Sequence, residues 1–106
     1  MVFPEFLDTE IINEGINEYE NTPGALLIDV RMPEEYEEGH IPGSKNIPLS
    51  SIREIDSLAE DFDLPLFVYC HSGARSSRAV YVLKAMGYTN VTDLGGMSAY
   101  TGMIEN

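Results

Sequence analysis

Short apolar segments alternate with amphipathic segments along this chain, and this alternation constrains its fold more than any other feature. The clearest pair is the apolar run 66–69, which has strand length, followed by residues 76–86, where apolar side chains recur at helical spacing. Further strands are predicted at 25–30, just before Pro48 and at 91–94, and further helices at 8–20, at 33–38, from Ser51 onward and at 97–103. Such alternation predicts an α/β fold with a central parallel sheet, right-handed crossovers and helices on both faces.

Local signals set the expected helix ends. Asp8 or Thr9 can cap the first helix, Ser51 and Glu54 have capping-box spacing, and Gly87 is expected to end the helix 76–86. The buried faces are predicted to consist of the apolar residues at helical spacing: Ile12, Ile16, Tyr19, Ile52, Ile55, Leu58, Ala59, Ala79, Val80, Leu83 and Met86.

The length and composition indicate one compact domain over residues 1–106, because 106 residues, 43% of them apolar, can build one core. No apolar run approaches the roughly 18 residues of a membrane helix, and the acidic start lacks the features of a signal peptide. One cysteine cannot form an internal disulfide, and with two histidines it offers no evident metal cluster. We therefore expect no metal, no cofactor and a cytoplasmic location.

The formal net charge of −12 disfavours nucleic acid and anionic membranes as partners, because their phosphates would be repelled. The charge is uneven. Residues 64–92 contain no Asp or Glu, and Arg75, Arg78 and Lys84 contribute three positive charges there. The one basic segment of an acidic chain thus contains its one cysteine, Cys70, although the acidity elsewhere is explained by solubility alone.

Residues 70–76 join the predicted central strand to the best predicted helix. A tight loop that enters a helix points several N–H groups at one spot, and the helix dipole adds partial positive charge there. Gly73 permits an unusual backbone conformation, and a thiol in this field is expected to become a reactive thiolate. The candidate nucleophile is Cys70, and the candidate anion cradle is His71, Ser72, Gly73, Ala74 and Arg75.

Simpler interpretations remain for several of these residues. Cys70 could pack as a small apolar side chain, and His71 could be merely solvated. Ser76 could donate to an anion or cap the helix. Asp29 follows another predicted strand, and the carboxyl ends of parallel strands form the usual ligand-binding edge of such sheets.

Four motifs resemble, in their order and spacing, those of the rhodanese family over residues 25–102. They are Leu27-Ile28-Asp29-Val30-Arg31, Glu35-Tyr36 with Gly39-His40-Ile41-Pro42-Gly43-Ser44 and Asn46-Ile47-Pro48, Val68-Tyr69-Cys70 with Gly73 and Arg75-Ser76, and Leu94-Gly95-Gly96-Met97 with Tyr100. Tyr100 stands where the family usually has Trp. The acidic pair Glu34-Glu35 stands where some two-domain thiosulfate sulfurtransferases have a basic residue.

The resemblance implies a parallel α/β sheet, with Cys70 as the nucleophile that becomes a persulfide and residues 71–75 as its cradle. It places Asp29 and Arg31 near that loop in a supporting role. Alternatively, Asp29 stabilises a turn and Arg31 pairs with Glu34 or Glu35. For His40 we expect a hydrogen bond within its turn, and for Met97 and Tyr100 a place in the wall or floor of a pocket.

The implied function is that of a rhodanese-type sulfurtransferase with thiosulfate:cyanide-like activity, moving sulfur from thiosulfate or another donor to a nucleophilic acceptor. The donor and acceptor could be small molecules or proteins, and the oligomeric state is open. One alternative is a non-catalytic persulfide carrier or regulatory module. Another is a cysteine-dependent phosphatase or arsenate reductase. Such phosphatases place five residues between Cys and Arg, whereas four separate Cys70 from Arg75.

Overall fold

The computed structural model describes residues 4–106, with side chains from residue 11 onward. In chain order, the helices and strands are α1 (Pro4–Glu20), β1 (Leu26–Asp29), α2 (Pro33–Glu38), β2 (Lys45–Asn46), a 3₁₀ segment (Leu49–Ser57), β3 (Leu66–Cys70), α3 (Ala74–Met86), β4 (Val91–Gly96) and a 3₁₀ turn (Met97–Ala99).

The four strands form one parallel sheet in the order β2-β1-β3-β4. Because the strands run in the same direction, their carboxyl ends share one edge. Asp29 at the end of β1 lies opposite Tyr69, and Cys70 at the end of β3 lies opposite Gly96. This edge therefore brings together three of the motifs that the sequence separates.

Alternate side chains of β3 face opposite sides of the sheet, as the two-residue period of a strand requires. Phe67 and Tyr69 pack in a cluster with Ile12 and Ile16 of α1. Val68 and Cys70 belong to a second cluster, which contains apolar residues of α3 and of the 3₁₀ segment. Burial of each large apolar side chain contributes about 1.5–3 kcal/mol, so helices on both faces are needed to stabilise the sheet.

This architecture confirms the predicted α/β fold, with its parallel sheet and helices on both faces. The helix at 33–38, the strand before Pro48 and the helix end at Gly87, whose φ is +112°, are also confirmed. Within residues 4–106, no helix has both the length and the apolar character needed to span a bilayer.

Several predicted boundaries are wrong. α1 begins at Pro4, so Asp8 and Thr9 lie inside it rather than at its start, because proline suits the first helical position. The side chains of Asp8 and Thr9 lie outside the described residues. α3 begins at Ala74, which makes Ser76 its third residue rather than its cap.

The segment predicted as an α-helix from Ser51 is a 3₁₀ structure that begins at Leu49. Ser51 lies at a kink within it, with φ −117° and ψ 16°, and therefore does not cap a helix. Leu58 is 49% exposed instead of buried, because the segment ends at Ser57 before the helical face reaches it. The predicted helix at 97–103 is reduced to one turn, Met97–Ala99.

Candidate functional site

Cys70 occupies the last position of β3 and is fully buried. Its Sγ accepts two backbone hydrogen bonds, from the N–H of Gly73 at 3.0 Å and from the N–H of Ser76 at 3.3 Å. Sulfur accepts hydrogen bonds weakly as a thiol and far better as a thiolate. The two N–H groups are therefore placed where they can bind an anionic sulfur.

The two donors lie where the chain turns from β3 into α3. Gly73 precedes the helix with φ +108°, a conformation that side chains disfavour, and this turn directs its N–H back toward Cys70. Ser76 is in the first turn of α3, where an N–H group has no partner in the preceding turn. The amino end of α3 adds its partial positive charge at the same place.

The cradle predicted at residues 71–75 thus supplies one observed donor to the sulfur, Gly73. His71, Ser72 and Ala74 are exposed to solvent. The second donor, the N–H of Ser76, lies one residue beyond the predicted cradle. The sequence leaves Ser76 open as a donor to an anion or as a helix cap, and in the structure its backbone N–H, in the first turn of α3, donates to the sulfur.

Arg75 pairs with Glu35 of α2. Its Nη1 donates to Oε1 at 2.6 Å and its Nη2 to Oε2 at 3.0 Å. The hydrogen bond from Arg75 lowers the pKa of Glu35 to about 2, and the same bond raises the pKa of Arg75. The positive charge of Arg75 is therefore largely compensated by Glu35, and the two groups that donate to Cys70 Sγ are backbone N–H groups.

Asp29 and Arg31 form a buried ion pair near the end of β1. Arg31 Nη2 donates to Asp29 Oδ2 at 2.8 Å and its Nε to Oδ1 at 3.0 Å, and Nη2 also reaches the carbonyl of Gly39 at 2.7 Å. Burial opposes the charge of Arg31, but the hydrogen bonds and the charge of Asp29 outweigh it and raise the pKa of Arg31. The alternative pairing of Arg31 with Glu34 or Glu35 is wrong, because Asp29 is its partner and Glu35 binds Arg75.

An open depression of about 430 Å³ lies beside the loop after β3. Arg31, Glu35 and His71 border it, together with the apolar side chains of Met97 and Ile104. The prediction that Met97 forms part of a pocket wall is thereby confirmed. Tyr100 packs instead against the buried apolar cluster that includes Ile12 and Ile16 of α1.

The side-chain hydrogen bond of His40 lies outside the predicted turn 39–43. Its Nδ1 is 2.8 Å from the carbonyl oxygen of Tyr36 in α2, and its ring stacks on that of Tyr36. It also pairs through its backbone with Glu105 in an isolated antiparallel bridge. This bridge holds the C-terminal segment beside the depression, which is how Ile104 reaches its border.

The end of β4 supports the loop from the other side. The N–H of Ser98 donates to the carbonyl of His71 at 3.1 Å. A Cβ on Gly96 would lie 2.4 Å from the oxygen of His71 and 2.7 Å from the Cα of Ser72. Glycine is therefore required at position 96 by the close approach of two backbone segments.

Residues 11–103 match the sequence profile of the rhodanese-like domain. The chain belongs to the rhodanese-like domain family. The family membership expected from the four motifs is thereby confirmed.

Two relatives of this rhodanese-like chain have names that refer to sulfur chemistry. It is 42% identical over 71 residues to the thiosulfate sulfurtransferase PspE of Escherichia coli, a match that covers 66% of this chain and 68% of PspE. It is 38% identical over 80 residues to YrkF of Bacillus subtilis, which is named provisionally as a sulfur carrier protein. That second match covers 74% of this chain but only 43% of YrkF, so the chain spans less than half of that relative.

A solved structure described as rhodanese with anions from E. coli has the same fold. It superimposes with a TM-score of 0.73 at 36% identity, covering 77% of this chain and 98% of the other. The α/β fold of the chain is thus that of a known rhodanese.

Proposed function

We propose that this rhodanese-like chain is a sulfurtransferase that carries a sulfur atom as a persulfide on Cys70. The proposal rests on two backbone N–H groups, those of Gly73 and Ser76, which donate hydrogen bonds to Cys70 Sγ. Fixed donors of this kind stabilise an anionic sulfur without any reorganisation during the reaction.

The reaction has two displacements at sulfur. The Cys70 thiolate attacks the outer sulfur of thiosulfate, the sulfur–sulfur bond of the donor breaks, and sulfite leaves with the electron pair. Cys70 then carries an anionic persulfide. An acceptor such as cyanide attacks its terminal sulfur, thiocyanate departs, and the Cys70 thiolate is restored. Each step conserves charge and needs no external oxidant or reductant.

Asp29 and Arg31 act in support of this site. Their buried pair joins the end of β1 to the carbonyl of Gly39 and so fixes one border of the depression beside His71. His71, Ser72, Ala74 and Arg75 complete the loop around the sulfur. Arg75 contributes by joining the amino end of α3 to α2 through Glu35.

Phosphatase and arsenate-reductase chemistry is less well supported. A phosphoryl group needs a wide ring of donors and a free arginine that can bind two oxygens at once. Here four residues separate Cys70 from Arg75, and both terminal nitrogens of the Arg75 guanidinium, Nη1 and Nη2, donate to Glu35. A persulfide presents only one terminal sulfur to be bound, so a shorter loop with fewer donors can surround it.

The same geometry is compatible with a persulfide carrier, the class suggested by the name of YrkF. In that case the donor and acceptor are proteins and the chain turns over poorly alone. In either role we place the chain in the cytoplasm, where one unpaired cysteine stays reduced.

Incubation with thiosulfate and cyanide separates the two roles. A sulfurtransferase produces thiocyanate over many turnovers, whereas a carrier produces at most about one equivalent of thiocyanate per chain. Cys70→Ser is the control for uncatalysed reaction. No thiocyanate, together with no sulfur loaded from several donors, would contradict both roles.

A further inference from the structure

We propose that Asp93 of β4 is a positioning residue for Cys70, because its carboxylate fixes the first turn of α3 through Ser76. Asp93 does not contact the sulfur. It acts through a residue whose N–H does, and its role in sulfur transfer rests on the function proposed above.

Ser76 connects the carboxylate to the sulfur. Its hydroxyl donates to Asp93 Oδ1 at 2.8 Å, and its backbone N–H donates to Cys70 Sγ at 3.3 Å. Ser76 is fully buried, so its position is defined by these contacts rather than by solvent. A hydrogen bond to a carboxylate is stronger than one between neutral groups, but Asp93 itself is exposed to solvent, so its contribution is mainly to hold the position of Ser76.

The sheet itself orients the carboxylate. Val68 lies opposite Asp93, but the next residue of β3, Tyr69, lies opposite Gly95, so Leu94 is an extra residue in β4. Such bulges redirect the side chains beside them. Gly95, at φ +79°, donates its N–H to the same Asp93 Oδ1 at 2.9 Å. The bulge and this hydrogen bond together hold the carboxylate toward Ser76.

Without Asp93, the Ser76 hydroxyl still has an acceptor. The carbonyl oxygen of Gly73 lies 3.1 Å away, at the distance of an ordinary intrahelical contact. The fold can therefore survive loss of the carboxylate, because α3 still packs against β4 through apolar side chains, while the Ser76 N–H is less well held toward Cys70.

The test compares Asp93→Ala with Asp93→Asn, since the amide oxygen of Asn can still accept from Ser76 and Gly95. Two rates are measured at one pH: alkylation of Cys70 by iodoacetamide and formation of the persulfide from thiosulfate. We expect Asp93→Ala to slow both about threefold to tenfold, the range expected for loss of one hydrogen bond. Asp93→Asn should restore rates close to wild type.

Asp63 provides a matched control. Its Oδ1 also accepts from a hydroxyl, that of Thr89 at 2.6 Å, but it precedes β3 and so lies at the opposite edge of the sheet from Cys70. Asp63→Ala should leave both rates unchanged once folding is confirmed by circular dichroism. Ser76→Ala should slow the reactions as Asp93→Ala does, and the double variant should be no slower than either single one.

Equal rates for Asp93→Ala and wild type would overturn the assignment, as would an Asp93→Asn variant as slow as Asp93→Ala. A matching loss in Asp63→Ala would also contradict it, because the effect would then be a general one on stability. The alkylation rate separates this inference from the proposed function. If wild type gains no sulfur from any donor but the alkylation rates follow the expected order, sulfur transfer fails and the positioning role of Asp93 stands.

Discussion

Arg75 in the first turn of α3 and Glu35 of α2 are joined by two hydrogen bonds, of 2.6 and 3.0 Å. The pair is about one-third exposed on each side, so solvent screening limits its contribution to roughly 1 kcal/mol. Its importance is geometric, because it connects two segments that are 40 residues apart at the border of the depression.

The first prediction concerns stability in acid. The hydrogen bond from Arg75 lowers the pKa of Glu35 from 4.5 to about 2 on folding. The ion pair of Glu35 with Arg75 therefore stabilises the folded protein fully above pH 4.5, and this contribution is lost as the pH falls toward 2. Glu35→Gln should reduce the free energy of unfolding at pH 7 and remove that part of the acid dependence. Urea titrations at a series of pH values measure this, and Glu60→Gln, at an exposed position, is the control.

A second prediction concerns the buried pair of Asp29 and Arg31. Arg31→Met leaves a fully buried carboxylate without its cation and should cost about 3–5 kcal/mol of stability. The double variant Asp29→Asn/Arg31→Met should recover part of this loss. Arg53→Met, at an exposed position, should change the free energy of unfolding by less than about 0.5 kcal/mol. A small loss in Arg31→Met would mean that Asp29 is not held as described.

A third prediction uses the close contact of Gly96 with the loop. In Gly96→Ala the new Cβ would lie within 2.4 Å of the His71 oxygen, so the loop must move away from β4. Persulfide formation should slow about tenfold to a hundredfold, because the donors to Cys70 are displaced. Gly24→Ala is the control. That site is open but has φ +84°, so stability should fall by about 1–2 kcal/mol while the rate per folded molecule is unchanged.

A fourth prediction follows from the length of the loop. The wild-type chain should not hydrolyse p-nitrophenyl phosphate appreciably, because Arg75 is one residue too near Cys70 and is held by Glu35. Insertion of one residue between Ala74 and Arg75 should weaken sulfur transfer. Efficient hydrolysis that depends on Cys70 in the wild-type chain would favour the phosphatase alternative.

The sequence was sufficient to predict the sheet, both core faces and the position of Cys70, because strand and helix periodicities are local properties. The apolar run 66–69 and the helical spacing of Ala79 and Leu83 are examples, since all of these residues are buried as expected. Helix starts were less accurate. α3 begins two residues before its predicted start, so Ser76 is not its cap but lies in its first turn, where the backbone N–H donates to Cys70.

Partners in ion pairs and the bulge in β4 could not be predicted from the sequence. Arg31 has acidic neighbours at positions 34 and 35, yet it pairs with Asp29. Glu35 pairs instead with Arg75, which is 40 residues away in the sequence and comes within reach only in the folded chain. The bulge depends on the register between β3 and β4, which no local pattern in Asp93-Leu94-Gly95 specifies. Long-range geometry of this kind decides which polar groups surround the sulfur.

The most direct test of the central claim is the intact mass of the protein after incubation with a sulfur donor. Persulfide formation on Cys70 should add one sulfur atom, about 32 Da, that dithiothreitol removes and that Cys70→Ser does not show. An equal gain in Cys70→Ser, or no gain in the wild-type chain with any of several donors, would contradict it.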